Sequence, residues 1–82
     1  MKNLEPGQWV AIDGVNAVVC RVWKDNENLM RMEYVFMCNG RPANKCAVWH
    51  EDRWLPDKDF GGCAEGRLAE YITILKAGRR YC

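Results

Sequence analysis

Short apolar runs alternate with turn-forming residues along the first half of the chain. Apolar runs occupy residues 8–12, 17–23 and 29–38. Asp13-Gly14 separates the first two runs, and Asn39-Gly40 ends the third. Asp-Gly and Asn-Gly favour two-residue turns in which both residues have positive φ. The pattern therefore predicts antiparallel β-strands joined by tight turns.

The Asn39-Gly40 turn also predicts the register of the strands on either side of it. In a two-residue turn at this point, the numbers of facing residues sum to 79, so Phe36 faces Ala43 and Met30 faces Trp49. The resulting face is mostly apolar on both strands, as the buried side of a hairpin should be.

The second run, at 17–23, predicts a strand whose two faces differ in character. Successive side chains of a strand point to opposite faces. One face is expected to carry Val18, Cys20 and Val22, and the other Val19, Arg21 and Trp23. Because Trp23 then shares a face with a charged residue, we predict that it is the most exposed tryptophan, followed by Trp54.

The second half of the chain has less regular patterns. Residues 50–62 carry few strand signals and are predicted to form a connection. The apolar spacing in 64–77 suits a helix, but an internal glycine and a β-branched triplet oppose it. We favour one helical turn over 65–69 and a fifth strand over 71–75, followed by a basic tail over 76–82.

Together these elements predict a single, mainly β domain over residues 1–82. The expected architecture is a small SH3-like barrel or a strongly curved five-stranded antiparallel sheet, with one short helical turn near the C-terminus. A domain of 82 residues buries a smaller share of its surface than a larger domain does, so we expect a homo-oligomer. A net charge of +1 argues against a nucleic-acid polycation.

The cellular setting is predicted from what the sequence lacks. The first residues do not form an apolar run of secretory type, and no apolar stretch approaches the roughly 18 residues of a membrane span. The five cysteines form no C-x-x-C pair, which suits reduced, structural thiols. We therefore expect a cytoplasmic protein that has no membrane contact and no cofactor.

Two segments resemble the small barrels of the SH3-like class. EPGQWVAIDG resembles their first strand and turn, and RLAEYITIL resembles their closing helical turn and last strand. Proteins of this layout include peptide-binding modules, nucleic-acid-associated modules and small orphan proteins of phages and mobile genetic elements. The resemblance implies a binding or accessory role, with a mobile-element source as one expectation.

The tryptophans are the main candidates for a ligand-binding surface. Indole is large and flat, and it suits polyproline segments or stacked bases when exposed in a groove. We expect a ligand surface made of Trp23, Trp49, Trp54 and Arg53. Core packing is the competing explanation for each indole.

Catalytic and metal sites have weaker support in the sequence. His50 is the single histidine, and a neighbouring carboxylate such as Glu51 would point the opposite way on an extended segment. The set Cys38, Cys46, His50 and Cys63 lacks the short paired spacing of zinc sites. No catalytic and no metal site is therefore predicted.

Three function classes follow. The favoured one is a non-enzymatic binding or accessory protein that takes a peptide, a protein or a small molecule. The first alternative is a nucleic-acid-binding module that uses the basic C-terminal residues Lys76, Arg79, Arg80 and Tyr81. The second is a small oligomeric enzyme with His50 at a subunit interface, so enzymatic activity stays open.

Overall fold

The computed structural model describes residues 4–62 and 65–79, with side chains over 4–57 and 68–78. Five strands precede one helix: β1 (Trp9–Ile12), β2 (Val15–Lys24), β3 (Met30–Cys38), β4 (Arg41–His50), β5 (Arg53–Gly62) and α1 (Glu65–Arg79). The strands form one antiparallel sheet in the order β1-β2-β3-β4-β5. The sheet curls strongly into a half-barrel, which confirms the predicted mainly β class.

Tight turns join three of the four strand pairs. Both central residues have positive φ in the turns Asp13-Gly14, Asn39-Gly40 and Glu51-Asp52. This conformation matches the right-handed twist of the flanking strands. The β2–β3 loop differs: the Asp25 carboxylate accepts hydrogen bonds from the backbone N–H groups of Glu27 (2.8 Å) and Leu29 (3.0 Å).

The register predicted for β3 and β4 is confirmed, because Phe36 faces Ala43. The predicted faces of β2 are confirmed as far as Cys20, which packs in the same cluster as Val18, and are wrong beyond it. The register of β2 on β3 shifts between Val19 and Arg21, so Cys20 is an extra residue in the ladder. Such a bulge changes which face later side chains occupy, and Val22 therefore packs with Val19 and not with Cys20.

The fifth strand is not the predicted one. β5 is formed by Arg53–Gly62, in the segment expected to be a connection, and 71–75 lies inside α1. The two-residue turn at Glu51-Asp52 places β5 directly against β4, where pairing with a neighbour outweighs the weak intrinsic preference of a polar segment.

α1 covers the outer face of the curl. Its buried residues Leu68, Ile72 and Leu75 follow the i, i+4, i+7 spacing of one helix face. They pack against Val18 and Val35 of the sheet. Burial of this stripe outweighs the strand preference of Ile72 and its β-branched neighbours, and the expectation of a single helical turn is corrected to a full helix.

The inner face of the curl holds a second apolar cluster, which draws on β1 to β5. Its buried members are Ile12, Ala17, Val19, Met32, Tyr34 and Ala47. Trp54 and Phe36 pack against it while half-buried. The sheet is therefore apolar on both faces, and α1 and the curl itself supply the two covers.

Charged side chains pair on the outer face beside α1. Glu33 is 1% exposed and accepts hydrogen bonds from Arg21 (3.0 Å) and from the Asn44 amide (3.0 Å). Arg31 bridges Asp25 and Asp57, and its hydrogen bond lowers the pKa of the Asp25 carboxyl below the ordinary value. A buried carboxylate needs such partners to offset its desolvation.

Within the described residues, no helix has both the length and the apolar character needed to cross a lipid bilayer. Cys20, Cys38 and Cys46 are free thiols there, two of them buried. Burial raises the pKa of the Cys46 thiol, which keeps it protonated.

Gly78 of α1 gives a test of how the helix is seated on β1. A methyl group at this position would overlap a ring carbon of Trp9. Although alanine is favoured over glycine in helices by about 1 kcal/mol, we expect Gly78→Ala to destabilise the fold by about 1–2 kcal/mol through overpacking. Urea unfolding measures the change.

The matched background is Trp9→Ala, which removes the clashing ring. There we expect Gly78→Ala to stabilise the fold by up to about 1 kcal/mol, because the intrinsic helix preference is then unopposed. The same sign of effect in both backgrounds would contradict the contact between α1 and β1.

Candidate ligand-binding groove

A groove opens where the curled sheet brings its two edge strands, β1 and β5, towards each other. Its volume is about 370 Å³. The lining residues are Ala11, Asp13, Trp49, Asp52, Arg53, Trp54, Leu55 and Pro56. They come from the end of β1, from the β4–β5 turn and from the first half of β5.

The lining shows that the groove lies at a strand edge. Four consecutive residues of β5, Arg53 to Pro56, contribute to it. Successive side chains of a strand point to opposite faces, so a pocket on one face would be lined by alternate residues. The groove is therefore a seam between β1 and β5 that exposes backbone as well as side chains.

Two indoles form the aromatic wall of the groove. Trp49 faces Trp54 across the β4–β5 pair, and their ring centroids lie 5.3 Å apart at an interplanar angle of 69°. Counting from the two-residue turn, this is a pair without mutual backbone hydrogen bonds, in which side chains approach closely. The edge-to-face arrangement is the one that aromatic quadrupoles favour.

Three charged residues also line the groove. Asp13 and Asp52 belong to the two turns at its end, and Arg53 follows directly. Among the described side chains, none of the three forms an ion pair. Two carboxylates and one guanidinium thus stand uncommitted beside the indole pair.

The structure brings together three of the four predicted ligand residues. Trp49, Trp54 and Arg53 share the groove, whereas Trp23 lies on the outer face, with the Arg21 guanidinium 4.4 Å from its ring centroid. The predicted ranking of exposure is wrong: Trp23 and Trp54 are half-buried, and Trp9 is 39% exposed. Stacking under Arg21 explains why Trp23 is covered.

Among the described residues that were weighed for catalysis and zinc, none lines this groove. His50 and Glu51 are exposed, and their Nε2 and Oε1 atoms are 3.5 Å apart, closer than expected because Glu51 is in a turn. Cys38 is exposed and Cys46 buried, on opposite faces of the β3–β4 hairpin, and Cys63 lies outside the described residues. In the described part of the chain no group of three or more His, Cys, Asp or Glu residues could hold a metal ion.

The residues proposed for nucleic-acid contact are described in part. Lys76 is exposed on α1, and Arg79 is the last residue of that helix. The start of the predicted basic tail is therefore helical. Arg80 and Tyr81 lie outside the described residues.

Sequence reasoning missed five lining residues: Ala11, Asp13, Asp52, Leu55 and Pro56. They had been assigned to a turn, a short strand and a connection. The one available signal was Pro56, because proline inside a strand marks an edge, but it carries that meaning only after 53–62 is recognised as a strand.

Comparisons of the chain with protein-family models, with curated proteins and with solved structures found no match.

The turn that supplies Asp52 is strained. Glu51 and Asp52 have φ values of 50° and 65°, a region that non-glycine residues rarely adopt. The other two tight turns place glycine at the second position. Strain of this kind persists where the surrounding structure imposes it, often beside binding sites.

We expect the double substitution Glu51→Asn and Asp52→Gly to stabilise the fold by about 1–2 kcal/mol, since Asn-Gly accepts both positive φ values without strain. Chemical unfolding measures this. The reciprocal control, Asn39→Glu with Gly40→Asp, should destabilise by a similar amount. A loss of stability in the first variant would show that the turn is held by contacts of Glu51 or Asp52 themselves.

Proposed function

We propose that this chain is a non-enzymatic binding protein whose ligand occupies the groove between β1 and β5. The observation that carries the proposal is the half-buried Trp49–Trp54 pair, which lines an open seam beside the uncommitted charges of Asp13, Asp52 and Arg53. Aromatic and arginine residues that combine in one depression are typical of binding surfaces.

The burial of the indoles supports recognition by a pre-formed surface. The edge-to-face contact fixes Trp49, and Trp54 also packs on the inner apolar cluster. Rings that are already fixed lose little conformational entropy when a ligand covers them. The groove can thus offer flat apolar area at low entropic cost.

Among the ligand classes named above, the groove favours a peptide over a small molecule. Small-molecule sites are usually concave pockets of about 300–1,000 Å³ that enclose most of the ligand. This groove lies at the low end of that range at about 370 Å³, and it is open along a strand edge. A short extended segment fits such a seam, because most of its length can remain outside.

Selection from a phage-displayed library of random twelve-residue peptides tests the proposal. We expect enrichment of peptides that bind the native chain, and we expect Trp54→Ala to weaken their binding about tenfold or more. Because Trp54 also packs in the core, Arg53→Ala is a second variant, and its exposed position should leave folding intact.

The matched control is Trp23→Ala, which removes an indole outside the groove and should leave binding unchanged. Enrichment no greater than on an uncoated surface would overturn the proposal. Equal losses in Trp23→Ala and Trp54→Ala would also overturn it, because binding would then not depend on the groove.

A further inference from the structure

The groove exposes backbone groups of β5 that pair with no strand in the described part of the chain. Residues that flank a two-residue turn exchange backbone hydrogen bonds, and this pairing recurs at every second residue. Since Arg53 faces His50 and Leu55 faces Val48, the backbone groups of Arg53 and Leu55 point to β4. The N–H and C=O groups of Trp54 and the C=O group of Pro56 therefore point into the seam.

β1 forms the opposite wall of the groove, and it too directs backbone groups into the seam. Val19 donates its N–H to the Gln8 carbonyl (2.9 Å), which fixes the alternation along β1. Val10 and Ile12 thus pair with β2, and the backbone of Ala11 faces the seam. Among the described residues no strand pairing joins β1 and β5, although their Cα atoms approach within 8 Å. Since paired strands lie about 4.8 Å apart, a strand added here can pair with one of the two edges only.

We propose that the groove takes an extended peptide segment that adds to the edge of β5 as a sixth strand and presents a basic side chain to Asp13 and Asp52. The inference rests on the proposed function and specifies its ligand and its binding mode. Backbone pairing with Trp54 supplies affinity, and the side-chain contacts supply selectivity.

Pro56 limits how the peptide can pair. Proline has no N–H, and at this position the missing donor would have faced the seam, so the β4–β5 ladder loses nothing. Proline on an exposed edge also protects a sheet against uncontrolled pairing. The added strand therefore finds two bonding groups at Trp54 and one acceptor at Pro56, which defines a short binding stretch.

The charges at the end of the groove select the side chain. Asp13 and Asp52 supply two carboxylates against the single guanidinium of Arg53, and none of the three forms an ion pair among the described side chains. The indole pair beside them adds a surface that attracts cations. Arginine or lysine in the peptide meets both requirements.

The probe for the test is a capped seven-residue peptide of alternating threonine and valine with one central arginine. Its binding to the ¹⁵N-labelled chain is followed by the amide resonances in NMR spectra, at peptide concentrations up to the millimolar range. We expect the largest shift at the amide of Trp54, which gains an acceptor, and a small shift at Leu55, whose amide is already paired.

Methylation of single peptide nitrogens tests the strand addition. One edge of an added strand bonds to β5, so methylation should weaken binding about tenfold at alternate residues and leave it unchanged at the residues between. Pro56→Ala restores a donor to the edge and should tighten binding about two- to tenfold. A norleucine in place of the arginine should weaken binding about fivefold or more.

The outcomes separate this inference from the proposed function. Equal effects of methylation at every residue, or none, would overturn strand addition. Equal affinity for the norleucine peptide would overturn the basic side chain. Absence of shifts at the groove amides would overturn the inference as a whole, whereas the proposed function is decided by whether peptides selected from the library lose affinity in Trp54→Ala.

Discussion

The architecture depends on an imbalance between its two edge strands. β1 is confined to four residues because Glu5-Pro6-Gly7 precedes it and Asp13-Gly14 follows it, whereas β5 has ten residues. A strand of four residues, such as β1, forms its hydrogen bonds with β2 and is too short to pair with the whole of β5. The curl thus stops short of a closed barrel, and the remaining seam is the feature from which the groove, its aromatic wall and its free backbone groups all follow.

Two of the three register shifts in the sheet, one on the β2–β3 ladder and one on the β4–β5 ladder, change the positions of charged residues. The extra residue at Cys20 in β2 moves Arg21 and Trp23 to the outer face, and a second register shift, between Cys46 and Ala47 of β4, leaves Asp57 of β5 unpaired in the ladder. Bulges increase local twist, which suits a five-stranded sheet that must curl over its own apolar cluster. The charged residues so displaced, Arg21 and Asp57, find partners on the outer face, whereas the groove charges form no ion pair with any side chain that the structure describes. The ion pairs of the outer face stabilise the sheet, whereas the groove charges remain available to a ligand.

The sequence predicted those parts of the fold that local chemistry determines. Asn39-Gly40 set a register that the structure confirms, and Asp13-Gly14 placed the first hairpin correctly. β5 was missed because its stability comes from pairing with β4, which the composition of a polar segment does not reveal. The bulge at Cys20 was missed because alternation assumes an uninterrupted ladder. Three of the eight groove residues were predicted, because Trp49, Trp54 and Arg53 stand out by residue type. The other five were missed, because they line the groove through their position in the fold; they are Ala11, Asp13, Asp52, Leu55 and Pro56.

Native-state amide hydrogen exchange tests the open seam most directly, because it reads backbone pairing residue by residue. Along β5 the amide of Leu55 should be protected by β4, and the amide of Trp54 should exchange about a hundredfold faster or more, with Ala11 of β1 behaving like Trp54. Similar protection at Trp54, Leu55 and Ala11 would mean that the two edges are already paired, with each other or with a second copy of the chain. That result would contradict the account.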